Sequence, residues 1–540
     1  MMRASLAWGA VSLGGAVGAC CGPTRIAMAG GVILSYAAMC MAVRATHQRT
    51  RATDDGSKTP ASVLVAYASQ TGRAEELAAQ SAATLRHAGL AVDLEPLEAI
   101  NAVRLSGYER ALFIVSTTGE GDAPDHAARF PGRAIASDAA PPPPPPSPPM
   151  PPMPHYAMLA LGDRRYAGFC AFGHRVEDWL RGQGAKPLFA SIEVDDNDAG
   201  ALHRWSTQVS SLAGNLAQPD LASHRSGFSP WTLEARTLLN PGSVGGPAYH
   251  VCLTPMNAGA LDWQAGDIAQ IRPRHAAGVV SAWLRRLPLD AHAPVRCEGA
   301  LTTLQAALAS RVLPADVDAL RGYMPQELVD TLKPLATRDY SISSLPADGR
   351  IELLVRQARH ADADACDGVS LGIASGWLTR HATPGASVEV RVRSNRAFHA
   401  PDDDRPLVLI GAGTGLAGLR AHLKSRIERG CGANWLIFGE RNQLHDAFHV
   451  DELARWQDLG MLQRLDLVWS RDGARLRYVH DALRIHATLL REWVLADAAI
   501  YVCGSAARLG RSVETALAEI LGRAELDALR VAGRYRRDIY

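Results

Sequence analysis

Ser62-Val63-Leu64-Val65-Ala66-Tyr67-Ala68-Ser69-Gln70-Thr71-Gly72-Arg73-Ala74-Glu75 decides the fold of the first half of the chain. Residues 62–68 are short, apolar and β-rich, and 75–87 carry helical periodicity. Between them lie hydroxyls and a glycine at a helix N-terminus, where free N–H groups make a phosphate cradle. No Gly-Lys-Ser/Thr follows, so this is not a nucleoside-triphosphate loop. Further buried-strand runs are expected at 111–116, 156–161 and 187–194, alternating with helices up to Gly214. That alternation predicts a doubly wound parallel sheet.

Ligands of such sheets bind at the carboxyl ends of the strands. Ser116-Thr117-Thr118-Gly119-Glu120-Gly121-Asp122 follows the third strand, and its glycines let backbone approach a planar ligand. Leu161-Gly162-Asp163-Arg164-Arg165-Tyr166 and then Phe169-Cys170 follow the fourth, where Tyr166 is suited to stack on a flat ring. Any one of these loops reads equally well as a Gly/Ser turn that caps a helix. Three in order at successive strand ends do not.

At these residues 62–214 resemble the flavodoxin-like FMN domain of diflavin reductases. The resemblance implies FMN phosphate on Ser69, Gln70, Thr71, Gly72, Arg73 and Ala74. It places the isoalloxazine between the second and third loops. Asp122, Glu193, Asp195, Asp196 and Asp198 are either a solvated face or a docking surface for a basic partner.

A linker is expected at 215–235, then short strands with Gly/Pro punctuation over 236–402, a β-barrel with a helical insert near 276–334. Arg338-Asp339-Tyr340-Ser341-Ile342-Ser343 ends a barrel strand. Arg338 is fit to pair with a pyrophosphate, Tyr340 to pack on a flavin and Ser341 to bond its reactive edge. Gly372-Ile373-Ala374-Ser375 opens a helix with small residues, a second pyrophosphate seat. This pair is that of the ferredoxin–NADP reductase superfamily and implies FAD.

A second α/β alternation occupies 403–540. Its first strand runs into Gly411-Ala412-Gly413-Thr414-Gly415, a turn that suits a dinucleotide. Arg441 follows the second strand, Ser470-Arg471 the third, and Arg477-Tyr478 come close behind. A hydroxyl, guanidiniums and a phenol suit the 2′-phosphate of NADPH, and no acid is read in the slot that serves NADH enzymes. Cys503 follows the fourth strand, and in this superfamily a Cys there lies near the nicotinamide C4. Ser505 departs from the usual Cys-Gly-Asp.

The ending Arg534-Tyr535-Arg536-Arg537-Asp538-Ile539-Tyr540 most resembles the flavoprotein α-subunit of bacterial assimilatory sulfite reductase. By that resemblance Tyr540 shields the flavin, and Asp538 joins Ser341 and Cys503 at its edge. The implied route is NADPH to FAD to FMN to an electron acceptor, a haem protein or the haem subunit of sulfite reductase. A membrane module reducing a metal-siderophore or quinone partner, and a non-catalytic flavin-binding scaffold, stay open as alternatives.

The remaining features bound this reading. A net charge of +1 gives no support to nucleic-acid binding. Nine cysteines without Cys-x-x-Cys or zinc spacing imply neither a disulfide framework nor a metal. Two apolar stretches, 4–22 and 26–43, are followed by Arg44, Arg49 and Arg51. They are read as an anchor over 1–45, of one or two transmembrane helices in the bilayer, before a linker at 46–61. The expected location is the cell inner membrane, catalytic domains cytoplasmic, with an exported signal peptide as the bland alternative. The proline run within 140–154 is read as extended polyproline II, a tolerated insertion or a docking site. The expected whole is thus α/β multidomain: N-terminal transmembrane helices, a flavodoxin-like domain, a ferredoxin–NADP reductase-like barrel and an α/β NADP domain.

Overall fold

The computed structural model describes residues 63–118, 121–127, 130, 153–164, 166–195, 198–214, 227–257, 259, 261–361, 369–473, 476–505 and 509–540. The expected anchor and first linker, Gly119, Glu120, Asp196, most of the proline insert and residues 215–226 lie outside them. Residues from Ser62 to Tyr540 form one unit.

Strands β1 (Val63–Ala68), β2 (Val92–Pro96), β3 (Arg110–Ser116), β4 (His155–Gly162), β5 (Lys186–Pro187) and β6 (Ile192–Asp195) make the first sheet. All are parallel, in the order β2-β1-β3-β4-β5, with β6 also on β4. Helices α1 (Arg73–His87) and α3 (Ala199–Leu212) cover one face and α2 (Ala171–Gly182) the other. Both faces being covered explains the near-continuous apolar runs of the central strands. The expected strand at 187–194 is instead split into β5 and β6. Phe189 leaves the sheet to pack edge-on against Trp205, 5.9 Å between centroids. Trp205 is buried and its Nε1 donates to Ser81 Oγ at 3.0 Å.

The barrel consists of β7 (Ser229–Leu238), β8 (Ala248–Pro255), β9 (Ile268–Arg272), β12 (Arg338–Ser341), β13 (Ile351–Arg356) and β16 (Ser387–Arg393). Their order is β12-β9-β16-β7-β8-β13, antiparallel throughout. A bridge between Ile342 and Leu353 joins the two outer strands and closes the barrel, which removes exposed strand edges. β7 begins inside the stretch expected as a linker. Hairpins β10 (Pro294–Cys297) with β11 (Ala300–Thr303), and β14 (Arg359–Ala361) with β15 (Val369–Leu371), stand apart. Three short helices and the first hairpin form the insert, with their own apolar cluster around Val280, Leu304 and Leu328.

The last sheet is parallel: β17 (Leu407–Ala412), β18 (Asn434–Glu440), β19 (Arg464–Trp469), β20 (Ala499–Gly504) and β21 (Tyr535–Ile539) in the order β19-β18-β17-β20-β21. Helix α4 (Leu416–Glu428) follows the turn after β17, and α5 (Arg511–Leu521) and α6 (Arg523–Val531) precede β21. The C-terminus is thus an ordered strand rather than a trailing end.

The membrane placement is corrected. Among the described residues no helix is long and apolar enough to cross a bilayer. The longest, α1, has 15 residues, about 22 Å at ~1.5 Å per residue, against roughly 30 Å of hydrocarbon. Its buried residues also lie on one face only. The stretches 4–22 and 26–43 lie outside the described residues.

Candidate active site

The first strand-end loop has the properties of an anion seat. Ser69 Oγ accepts from the N–H of Ala74 at 3.1 Å and so closes the loop. The N–H groups of Thr71, Gly72 and Arg73 have no hydrogen-bond partner among the described residues. Gly72 has φ +80°, and a Cβ there would lie 2.6 Å from the carbonyl oxygen of Ser394, so only glycine fits. The donors therefore fit a phosphate. Gln70 behaves differently from the expectation: its side chain turns away, to Asp125 Oδ2 at 2.9 Å and the carbonyl of Arg537 at 2.8 Å. Arg73 spends its charge on Glu76 at 2.9 Å.

The other two loops lie beside it. Ser116 Oγ donates to Ala68 O at 3.1 Å, and Thr117 Oγ1 accepts from the N–H of Phe172 at 3.2 Å, so both hydroxyls hold backbone. Thr118 and Asp122 exchange backbone bonds around Gly121. Leu161 accepts from the N–H of Thr117 at 2.9 Å, which ties the second loop to β4. Tyr166 N–H donates to Asp163 O at 3.1 Å and leaves the phenol ring partly exposed. Gly162 is needed because a Cβ would meet Cys170 N at 2.8 Å and the Phe169 ring at 2.9 Å. Burial pushes the Cys170 thiol up to about 12, so it packs rather than reacts. Of the five acids expected on this face, Glu193 pairs with His174 at 2.7 Å, Asp195 with Arg164 at 3.7 Å, and Asp198 caps α3.

On the barrel, Tyr340 and Ser341 end β12 and both are partly exposed. Ile342, Ser343 and the Ile342–Leu353 bridge pin the strand behind them. Arg338 is exposed. Ser375 Oγ accepts from Ala358 N at 3.0 Å, which folds the start of the Ile373–Gly376 helix onto the barrel. The N–H groups of Ile373 and Ala374 have no partner among the described residues, so the helix start fits a pyrophosphate. A Cβ on Gly372 would strike Ala358 at 2.8 Å.

Three distant segments meet at the centre. Ser341 Oγ donates to Asp538 Oδ2 at 2.7 Å, and the Cys503 thiol donates to the same oxygen at 3.7 Å. Strand register explains the second contact, because Cys503 of β20 lies opposite Asp538 of β21. Cys503 is fully buried, and burial followed by the Asp538 charge raises its thiol well above its ordinary value. Burial likewise raises the Asp538 carboxyl. Tyr540 is 49% exposed and its hydroxyl meets Thr414 Oγ1 at 3.0 Å. The C-terminal ring is therefore tied to the dinucleotide turn itself.

In that turn Gly413 has φ +62°, and Gly415 packs its bare Cα against Cys503 and Gly504. Gly411 is equally tight against α4, since a Cβ there would lie 2.5 Å from Leu419 Cδ1. Ser470 N–H donates to Glu440 O at 2.9 Å and Arg471 N–H to Arg441 O at 2.8 Å, which sets Arg441 beside Arg471. Arg477 and Tyr478 are exposed, and Tyr478 stacks on His480 at 5.3 Å. Acids do lie in this region, and Asp481 accepts from the N–H of Tyr478 at 3.1 Å. Glu440 is held by Arg356, and Asp472 accepts from Asn442 Nδ2 and Gln443 N at 2.7 Å each. All three carboxylates are already taken by the protein.

Several contributors carry no motif. Arg393 reaches both Thr71 and Asp339, and Arg391 pairs with Glu76 at 2.9 Å. Asp125 pairs with Arg537. The one available signal was alternation in the last strand, which puts Arg537 on the face opposite Asp538.

A flavodoxin family model matches residues 65–205, and an oxidoreductase NAD-binding domain model matches 409–514. The chain is similar to the sulfite reductase [NADPH] flavoprotein alpha-component of Neisseria meningitidis serogroup C, 29% identical over 89% of this chain and 90% of the relative. The same component of Aliivibrio fischeri is 28% identical over 90% of each, and that of Vibrio cholerae is 28% identical over 88% and 87%. With a flavodoxin domain, a NAD-binding domain and near full-length similarity to these components, the chain is an NADPH-dependent diflavin oxidoreductase with FMN, FAD and NADPH as its cofactors.

Proposed function

We propose that this oxidoreductase delivers electrons to a haem-protein acceptor of the sulfite reductase type, and that its reducing end is the cluster Ser341, Cys503, Asp538 and Tyr540. Bound, FAD would supply two-electron chemistry toward NADPH and FMN one-electron chemistry toward the acceptor. The Ser341–Asp538–Cys503 contact carries the reading, since it joins the barrel's flavin motif to the dinucleotide domain at one carboxylate oxygen.

The chain's own groups have distinct tasks. Thr71, Gly72 and Arg73 present N–H groups to the FMN phosphate; Ile373 and Ala374 present theirs to the FAD pyrophosphate. Arg338 lies exposed to add charge to the latter. Arg441, Ser470, Arg471, Arg477 and Tyr478 bind the NADPH 2′-phosphate, with Glu440 and Asp472 kept from opposing it by their own partners. Tyr540 covers the flavin face and must leave Thr414 before nicotinamide enters. Ser341 and Cys503 orient the Asp538 carboxyl, whose raised affinity suits it to hold a proton at the reacting edge. The sulfite reductase haem component is the favoured acceptor because the similarity to its flavoprotein partner spans about nine-tenths of both chains.

The purified protein should release FMN and FAD in near-equal amounts and reduce cytochrome c or ferricyanide with NADPH. Absence of turnover with both flavins bound would sink the reading.

A further inference from the structure

β21 has two faces with different partners. One carries Asp538, bonded to Ser341. The other carries Arg537, which is partly buried between two carboxylates. Its Nε donates to Asp125 Oδ1 at 2.8 Å and its Nη1 to Glu514 Oε2 at 2.7 Å. Glu514 belongs to α5 of the same domain, but Asp125 belongs to the flavodoxin domain.

The contact is braced from the flavodoxin side. Gln70 Nε2 donates to the carbonyl of Arg537 at 2.8 Å and to Asp125 Oδ2 at 2.9 Å. Asp125 N–H returns a bond to Gln70 Oε1 at 2.8 Å. Side chain and carbonyl of residue 537 are thus both gripped, one peptide away from Asp538. Beyond it, Tyr540 N–H donates to Gly504 O at 3.1 Å and its hydroxyl meets Thr414.

We propose that Asp125 and Gln70 are positioning residues for the hydride-accepting end: the docked flavodoxin domain, by gripping Arg537, fixes Asp538 and Tyr540. The proposal rests on the function assigned above to those two residues. Its consequence is that a fresh hydride is taken up most readily when the flavodoxin domain is home. When the domain leaves to meet an acceptor, β21 keeps Glu514 but loses the carbonyl and carboxylate contacts, and the reducing end loosens. A shift of about 1 Å there is enough to slow a positioned reaction markedly.

The test uses the flavin-loaded full chain with Asp125→Asn, which keeps shape and removes charge, and Arg537→Lys, which keeps charge and loses the fork. Amide exchange of residues 535–540 should speed up about tenfold or more in Asp125→Asn. Single-turnover flavin reduction at saturating NADPH should slow about tenfold, with KM for NADPH changed by less than about twofold. Arg537→Lys should show smaller changes of the same sign in both. Unchanged exchange at 535–540 in Asp125→Asn overturns the proposal, whether or not small-angle scattering shows the domains apart. Faster exchange with an unchanged reduction rate overturns the coupling to hydride transfer. A wild-type chain that NADPH fails to reduce overturns the functional reading as well, while the exchange result still reports on the grip by itself.

Discussion

Replacing Gly415 by alanine should cripple the reducing end while leaving both flavins bound. A Cβ at this position would lie 2.5 Å from the carbonyl carbon of Cys503 and 2.8 Å from Gly504 Cα. Unbonded carbons settle near ~3.5 Å, so the methyl is about 1 Å short of the room it needs. The neighbours are backbone of β20, buried and paired on both sides by β17 and β21, and they have no rotamer to escape into. The turn and β20 must separate, and Cys503 moves away from Asp538. Overpacking of this kind costs about 1–3 kcal/mol. A misplacement of about 1 Å is worth up to ~100-fold in a positioned reaction. Stopped-flow reduction by NADPH should therefore slow by roughly 10–100-fold. FMN content should not change, because the flavodoxin loops are elsewhere, and the melting temperature should fall by a few degrees. Reduction at the wild-type rate in a folded Gly415→Ala protein would refute the placement of this turn against Cys503.

Cys503→Ala should slow flavin reduction by NADPH with flavin content intact, measured by the same single-turnover experiment. Asp538→Asn should likewise slow reduction and remove the acidic limb of its pH profile, since the asparagine side chain does not titrate. His422 is wholly buried between the rings of Phe398 and Tyr501, and burial drives its pKa down to about 3. With an unfolded value of ~6.5, the neutral imidazole's contribution is fully present above that pH and is lost as pH falls toward 3. In chemical denaturation the loss of stability between pH 7 and 5 should be smaller in His422→Phe than in the unaltered protein by about 1–2 kcal/mol, at ~1.4 kcal/mol per unit, while His449, also held low by burial, keeps its own share. Arg393→Ala should loosen the flavodoxin domain, because it removes the bonds to Thr71 while Asp339 stays exposed to water. Scattering should then show a larger radius at low salt.

Much of the architecture was legible because it is local. A parallel strand buried on both faces must be an apolar run, and a phosphate seat must put small or hydroxyl residues at a helix start. Ser69–Ala74, Gly372–Ser375 and Gly411–Gly415 all carry such residues where a helix begins. The strand at 187–194 misled because composition does not tell that Phe189 would pack on Trp205 instead of staying in the sheet. The linker at 215–235 misled because β7 opens with Ser229 and Pro230, residues that suit a connection as well as the first positions of a strand. The membrane placement rested on apolar length and a basic flank alone, in stretches that lie outside the described residues, with no second signal of a bilayer behind them.

By itself the sequence determined the succession of a doubly wound sheet, a β-barrel and a second parallel sheet, and which loops follow the carboxyl ends of their strands, since both follow from backbone period and turn chemistry within a few residues. The tertiary structure alone decided who meets whom. Ser341 and Asp538 stand 197 residues apart yet share a hydrogen bond, and Asp125 reaches Arg537 across 412. Such meetings depend on sheet register and on how whole domains pack, and no local pattern encodes either.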